Sequence, residues 1–175
     1  MGADNDYKPM ARAVTIQGNT LSITQAVQAA VASLRDQFRE VLGSEPIVAA
    51  SAADNRSGDF TLATYGAGKY AEVSRFSLRE LPGCCGILVF YHASVATDFQ
   101  NKGLGSLLLR VREEAARKAG YSVGMATVLA ENDAEIHILT SAGWKETGLL
   151  SAPGGGFINR RTRNRVKQFQ KELFS

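Results

Sequence analysis

The sequence predicts an α/β domain, on three observations. A turn cluster, Asp54-Asn55-Arg56-Ser57-Gly58, separates two strand-like runs and marks a hairpin. An apolar run from Gly86 to Val95 leads through a glycine-bearing turn, Gln100 to Gly105, into a helical pattern over Ser106 to Ala119. A second strand-then-helix unit follows, Val123 to Leu129 and then a helix opening at Asn132. The chain has 175 residues, 45% hydrophobic and 21% charged, which suits one globular domain with a real core.

The elements follow in chain order. Residues 1–10 are polar and read as a loose end, leaving 11–175 as one domain. Arg12 to Gln17 fits a short strand. Thr24 to Leu42 fits one helix, because Val27, Val31, Leu34, Phe38 and Val41 recur at spacings of three or four. Ser22 or Thr24 can cap its start and Gly43 can end it. Ile47 to Ala50 and Phe60 to Tyr65 are the hairpin strands. Residues 66–82 fit helix or strand equally and close at Pro82-Gly83.

Gly86 to Val95 reads as a buried central strand, apolar on both faces. In the next helix Leu107, Leu108, Val111 and Ala115 face inward. Glu113 with Arg117 and Glu114 with Lys118 form supporting pairs on the outer face. Gly120 can take a left-handed conformation at the helix end, covered by Tyr121. Asn132 with Glu135 three residues on is a capping-box-like start. Ile136, Leu139 and Ala142 face inward, and Gly143 stops that helix. Trp144 to Thr147 and Phe157 to Asn159 read as closing strands joined through Pro153 to Gly156.

Composition narrows the function classes. No apolar run reaches membrane-spanning length, and the N-terminus lacks the basic and apolar regions of a secretory signal. Asp6 stands where a myristoylation pattern needs Ser or Thr. Cys84 and Cys85 are adjacent, so they neither staple distant segments nor offer zinc spacing. A reducing, cytoplasmic setting and no metal are the readings that follow. The net charge of +3 is mild and does not call for nucleic acid. The cluster Arg160, Arg161, Arg163, Arg165, Lys167 and Lys171 is read as a solvated strand or terminal helix with Val166 and Phe169 inward, in preference to a nucleic-acid or acidic-partner site.

The turn Gln100-Asn101-Lys102-Gly103-Leu104-Gly105 carries the chemistry. A helix N-terminus presents unpaired N–H groups and partial positive charge, which suits an anion. Glycines at 103 and 105 let the backbone approach a phosphate with no Cβ in the way. A nucleotide P-loop is excluded, since no Lys-Ser/Thr follows Gly105. A dinucleotide fingerprint fits poorly, since Leu108 stands where the third glycine belongs, although Glu131 could serve as its acid. Coenzyme A remains.

Here the chain resembles a family. Val95 to Gly105 looks like motif A of the GNAT superfamily of N-acetyltransferases: Gln/Arg-x-x-Gly-x-Gly/Ala after a strand ending in valine, with an acidic residue, here Asp98, two before the Gln. Asn132 matches the asparagine that starts the helix after the fifth strand, and Gly143-Trp144 matches the Gly-Phe pair that ends it. The resemblance covers residues 86–147, about a third of the chain.

The resemblance implies a mixed, mostly antiparallel, splayed sheet flanked by helices on both sides. It implies acetyl transfer from acetyl-CoA to a primary amine by direct attack on the thioester, with a non-catalytic acyl-CoA-binding or regulatory domain as the alternative. Homodimers are common in the family. It places the pyrophosphate on backbone N–H groups of Gln100, Asn101, Lys102, Gly103, Leu104 and Gly105, with Ser106 at the helix start. Lys102 either adds charge at the rim or is a solvated surface lysine. The pantetheine arm would pair with Ser94, Val95 and Ala96 by strand addition. Asn132 would contact the arm, serve as helix cap, or do both. Val95 N–H would be the oxyanion donor.

One departure stands out. Leu139 occupies the position of the tyrosine that protonates the leaving thiolate in many members. His137 lies about 200° away around the same helix and does not replace it. For the base, His92 in the fourth strand is the first candidate, and alternation puts it on the face opposite Tyr91. Glu131, acting through a water, is the second.

Overall fold

A computed structural model describes residues 21–66, 68–150 and 166–174. The expected strand over Arg12 to Gln17, the loose residues 1–10, the glycine connection and the strand over Phe157 to Asn159 lie outside the described residues.

Two helices open the described chain, α1 (Ile23–Ser33) and α2 (Arg35–Leu42), where the pattern had suggested one. The break falls at Leu34, whose φ of −108° and ψ of 12° leave the helical region and whose N–H turns back to Val31 O at 3.1 Å. Ser33 Oγ takes Ala30 O at 2.9 Å, competing with the backbone for that turn's carbonyls. Both halves keep the apolar spacing, so periodicity alone does not reveal the break. Ser22 is the cap, in a reciprocal capping box with Gln25, and Gly43 ends α2 at φ 73°.

The sheet has seven strands: β1 (Ile47–Ser51), β2 (Ser57–Gly66), β3 (Lys69–Glu80), β4 (Ile87–Val95), β5 (Val123–Leu129), β6 (Lys145–Leu150) and β7 (Val166–Glu172). Their order is β1-β2-β3-β4-β5-β7-β6. All neighbours are antiparallel except β4 and β5, which are parallel and joined through α3 (Leu104–Lys118). Within the ambiguous stretch 66–82, Lys69–Glu80 is strand, paired on both sides. The end of the basic segment, Val166–Glu172, supplies β7, which slots between β5 and β6 with Phe169 2% exposed. Helix α4 (Asp133–Ser141) carries the chain from β5 to β6.

One face of the sheet can be traced across the strands. Phe60 opposes and stacks on Phe76, Leu78 opposes Phe90, and Phe90 opposes Ala126. On β5 the same face carries Gly124, where an added Cβ would lie 2.6 Å from the Trp144 ring. Helices α1 and α3 lie side by side over this face, and α4 packs on α3.

Both α3 and α4 end alike. Gly120 N–H reaches Arg117 O and Tyr121 N–H reaches Ala116 O; Gly143 N–H reaches Thr140 O and Trp144 N–H reaches Leu139 O. With Gly120 at φ 86° and Gly143 at φ 82°, these are Schellman ends, each sealed by a buried aromatic ring. Glu113, expected on an outer face, is buried. It accepts from Trp144 Nε1 at 2.7 Å and from Lys171 Nζ at 3.0 and 3.1 Å, which ties α3 to the end of α4 and to β7.

The feature that positions the site is a splay. β4 and β5 pair only from Ile87–Val123 to Phe90–Ala126. Beyond Phe90, β5 continues with β7 while β4 stays with β3. A bulge drives the divergence: Arg75 opposes Ser94 and Ser77 opposes Tyr91, so His92 and Ala93 together face the single residue Phe76. Burial on both faces accordingly holds only for Leu88, Val89 and Phe90, and the strand then opens to solvent.

Candidate active site

A cleft of about 500 Å³ lies in the splay, walled by the end of β4, the first turns of α3 and the N-terminus of α4. The β4 wall has a definite polarity. Ala96 N–H donates to Val73 O at 2.9 Å, so Ser74 and Val95 form a non-hydrogen-bonded pair, and both main-chain groups of Val95 turn away from β3. The Val95 carbonyl accepts from Gln100 Nε2 at 3.0 Å, and its N–H points into the splay where β5 has left.

A 3-10 turn, Thr97–Phe99, leads from β4 to the helix. Asn101 at φ 61° and Gly103 at φ 78° are both left-handed, which swings successive N–H groups toward one side. Gly103 caps α3 with no side-chain bond, and the first intrahelical bond is Leu107 N–H to Gly103 O at 3.2 Å. The N–H groups of Leu104, Gly105 and Ser106 are left for an anion at the positive end of a 15-residue helix.

The two glycines have different causes. A Cβ on Gly103 meets nothing within 4 Å, so its requirement is the positive φ. A Cβ on Gly105 would lie 2.6 Å from Ile138 Cδ1 of α4, so Gly105 lets α4 pack against α3. That is a packing reason for Gly105 which the sequence reading did not contain.

Ser94, Val95, Gln100, Asn101, Gly103, Leu104, Gly105, Ser106 and Asn132 all border the cleft. Ala96 and Lys102 do not. Lys102 Nζ donates to Asp98 O at 3.0 Å and lies 5.5 Å from the centre of the Phe99 ring, bracing the turn and adding no charge to the cleft wall. Asn132 accepts from Glu135 N–H at 3.2 Å, so it is a helix cap on the cleft rim. The reciprocal half of a capping box is absent because the Glu135 carboxylate turns to Arg112 Nη2 at 3.2 Å.

Neither candidate base borders the cleft. Glu131 is exposed on the turn before α4. His92 is exposed at φ 48°, a left-handed value unusual for a side chain of its size. The bulge overrides alternation: the His92 and Tyr91 rings are 6.0 Å apart, on one side of the strand and not on opposite faces. Tyr91 opposes Ser77, which opposes Asp59, so this row lies on the face away from α3. There the Ser77 hydroxyl, with Arg79 and the His92 charge, holds the Asp59 carboxyl below the usual carboxylate range. Leu139 is fully buried in the core, so nothing at its position can protonate a leaving group.

Sequence reasoning missed Arg112. It is 2% exposed, lies over the Phe90 ring at 5.6 Å and borders the cleft beside Glu135. Its signal was legible: an arginine four residues after Leu108 falls on the apolar stripe of α3.

No curated protein matches the chain. Solved structures do, at identities that establish the fold. An IAA acetyltransferase from Bacillus cereus superposes with a TM-score of 0.54 at 16% identity, over 67% of this chain and 78% of that one. A spermidine N-acetyltransferase from Vibrio cholerae, solved with CoA and spermine, gives 0.56 at 19%, over 81% and 75%. A chimera of that enzyme, from Vibrio cholerae and hSSAT, gives 0.56 at 22%, over 69% and 70%. Residues 28–144 match the Acetyltransferase (GNAT) family, and the chain therefore belongs to that family of acetyl-CoA-dependent acyltransferases.

Proposed function

We propose that this acetyltransferase moves the acetyl group of acetyl-CoA to a primary amine by direct attack on the thioester. One observation carries the reading: the free N–H groups of Leu104, Gly105 and Ser106 and the N–H of Val95 open on the same cleft, at the point where β4 leaves β5. An anion site and a strand edge side by side fit a ligand with a pyrophosphate at one end and an extended arm.

Bound acetyl-CoA supplies an activated carbonyl with a thiolate leaving group. The chain's residues supply the rest. Leu104 to Ser106 hold the pyrophosphate by backbone N–H groups. Ser94 and Val95 hold the arm along β4. Val95 N–H donates to the carbonyl oxygen as negative charge develops there. The amine nitrogen forms the new C–N bond, the C–S bond breaks, and one proton leaves the nitrogen. His92 is the candidate for that proton because the bulge sets it at the open edge of β4, three residues before Val95. Glu131, through a water, is the second candidate. The thiolate departs without a protein acid, since Leu139 holds the position where one would stand.

Leu139 and the absence of both candidate bases from the cleft wall favour one second reading, a domain that binds acyl-CoA without turnover. Release of free thiol from acetyl-CoA, assayed across a panel of primary amines, separates the two. Amine-dependent release supports transfer, and tight binding with no release across the panel supports the binding domain.

A further inference from the structure

The floor of the cleft holds a charged pair that neither the anion site nor the strand edge uses. Arg112 Nε donates to Leu108 O at 3.4 Å, and Nη2 donates to Glu135 Oε1 at 3.2 Å. Nη1 makes no hydrogen bond among the described residues, and neither does Glu135 Oε2. Yet the buried side-chain N or O atom that lacks a partner among the described residues is Ser74 Oγ, not a nitrogen of Arg112. The open edge of this guanidinium, on a residue 2% exposed, therefore meets the cleft it borders. Burial pushes the Arg112 pKa down while Glu135 and Glu113 push it back up, so the ion is held by design of its partners and not by water.

Position says what part of a ligand it can meet. The bond to Leu108 O sets the guanidinium level with Leu108, one helical turn past Leu104, or about 6 Å along the axis from the phosphate-binding end. That is too far along for the pyrophosphate and alongside the chain that leads away from it. Charge says what that part is made of. Arg112 and Glu135 cancel, so the pair offers a donor and an acceptor with no net charge. A carboxylated group would meet the Glu135 carboxylate as well as the arginine, whereas a neutral chain bearing amides meets both needs.

We infer that the Arg112–Glu135 pair is a specificity element for the acyl donor: it reads the uncharged amide-bearing arm between nucleotide and thioester, with Arg112 Nη1 donating to a carbonyl oxygen and Glu135 Oε2 accepting from an N–H or O–H. The inference rests on the proposed use of acetyl-CoA. Its test compares two ligands by calorimetry, CoA and adenosine 3′-phosphate 5′-diphosphate, which is the same nucleotide without the arm. The double variant Arg112→Met/Glu135→Leu removes both partners at similar volume, which leaves no orphaned charge and spares the fold.

Wild-type protein is expected to bind CoA more tightly than the armless nucleotide. The double variant is expected to lose tenfold or more of its CoA affinity while its nucleotide affinity stays unchanged. Equal loss for both ligands overturns the inference, because the pair then only supports the turn. Unchanged CoA affinity in a folded double variant overturns it as well. Wild-type protein that binds neither ligand brings down the cofactor reading itself, and this inference with it. Glu135→Gln keeps the acceptor oxygen for Arg112 and is expected to retain more CoA affinity than the double variant.

Discussion

Gly105→Ala tests whether this glycine serves the ligand or the fold. The added Cβ would lie 2.6 Å from Ile138 Cδ1, and its next contact is Ile138 Cγ1 at 3.9 Å. One methyl against one methyl is overpacking, which costs about 1–3 kcal/mol. Cδ1 is the free end of a partly buried side chain and can rotate aside, so the lower end, about 1 kcal/mol, is expected. For a chain of this length that lowers the melting temperature by roughly 2–4 °C. Ile138→Val deletes the clashing methyl and alone costs roughly 0.5–1 kcal/mol. If packing is the cause, the double variant is more stable than the sum of the singles by about 1 kcal/mol. CoA affinity lost in Gly105→Ala returns in the double variant, because helix α4 settles back onto α3 and the anion site reforms. Urea unfolding and calorimetry on the four proteins give both cycles. Additive stabilities, or affinity that stays lost beside the shortened Ile138 side chain, would refute the packing argument and restore Gly105 to the phosphate.

Four further outcomes follow from the same geometry. Gly103→Ala is expected to cost about 1–2 kcal/mol from left-handed strain alone, since its Cβ meets open space, with CoA binding weakened only slightly; Gly103→Asp adds a charge opposed to the pyrophosphate and is expected to abolish binding, both read by calorimetry. Ser74→Ala removes a buried hydroxyl with no partner among the described residues and is expected to raise unfolding free energy by about 1 kcal/mol; a loss of stability would show that the hydroxyl is satisfied. His92→Gly relieves φ 48° and is expected to be more stable than His92→Ala by about 1 kcal/mol, while a full, unshifted pH–rate profile in His92→Ala would remove it as base. The Asp59 carboxyl is depressed in the folded state, so its contribution is present above the unfolded value of about 3.9 and is lost as pH falls through the lower folded value. Asp59→Asn is therefore expected to lose stability at neutral pH and to converge on the wild type at low pH, which flattens the acid limb of the stability curve, by thermal melts between about pH 2 and 7.

What the sequence disclosed, and what it withheld, divides along locality. The ends of α3 and α4 were legible because glycine followed by an aromatic residue is a local pattern with a local cause: φ near +80° and a ring over the last turn. The turn was legible at Gly103 for the same reason. β7 was not, because nothing in Val166 to Glu172 says that it inserts between β5 and β6. That placement is decided by Phe169 reaching the core and by Lys171 reaching Glu113 across 58 residues of chain. Glu113 was misread by the same logic, since an i,i+4 partner in Arg117 is visible locally while Trp144 and Lys171 are not.

The site itself sits where local rules fail. Asn101 and His92 both adopt positive φ without being glycine, one to turn N–H groups toward an anion and the other to break alternation beside the splay. Left-handed backbone at an ordinary residue costs stability, and it persists only where surrounding contacts hold it. For Asn101 those contacts are its neighbours', with Gln100 tied to Val95 and Lys102 tied to Asp98. For His92 it is the β3 register, with Ser94 opposite Arg75 and Tyr91 opposite Ser77 leaving two residues for one place. The bulge does two things at once: it parts β4 from β5 to make the cleft, and it carries the histidine onto the face away from α3. On the proposed function, the cofactor side and the candidate base meet through the gap between the two strands, and the amine enters from the His92 face. A bulge-repairing deletion of Ala93 is therefore expected to close that gap and abolish transfer while the anion site keeps its affinity for the armless nucleotide. Transfer that survives the repair would separate the splay from the chemistry.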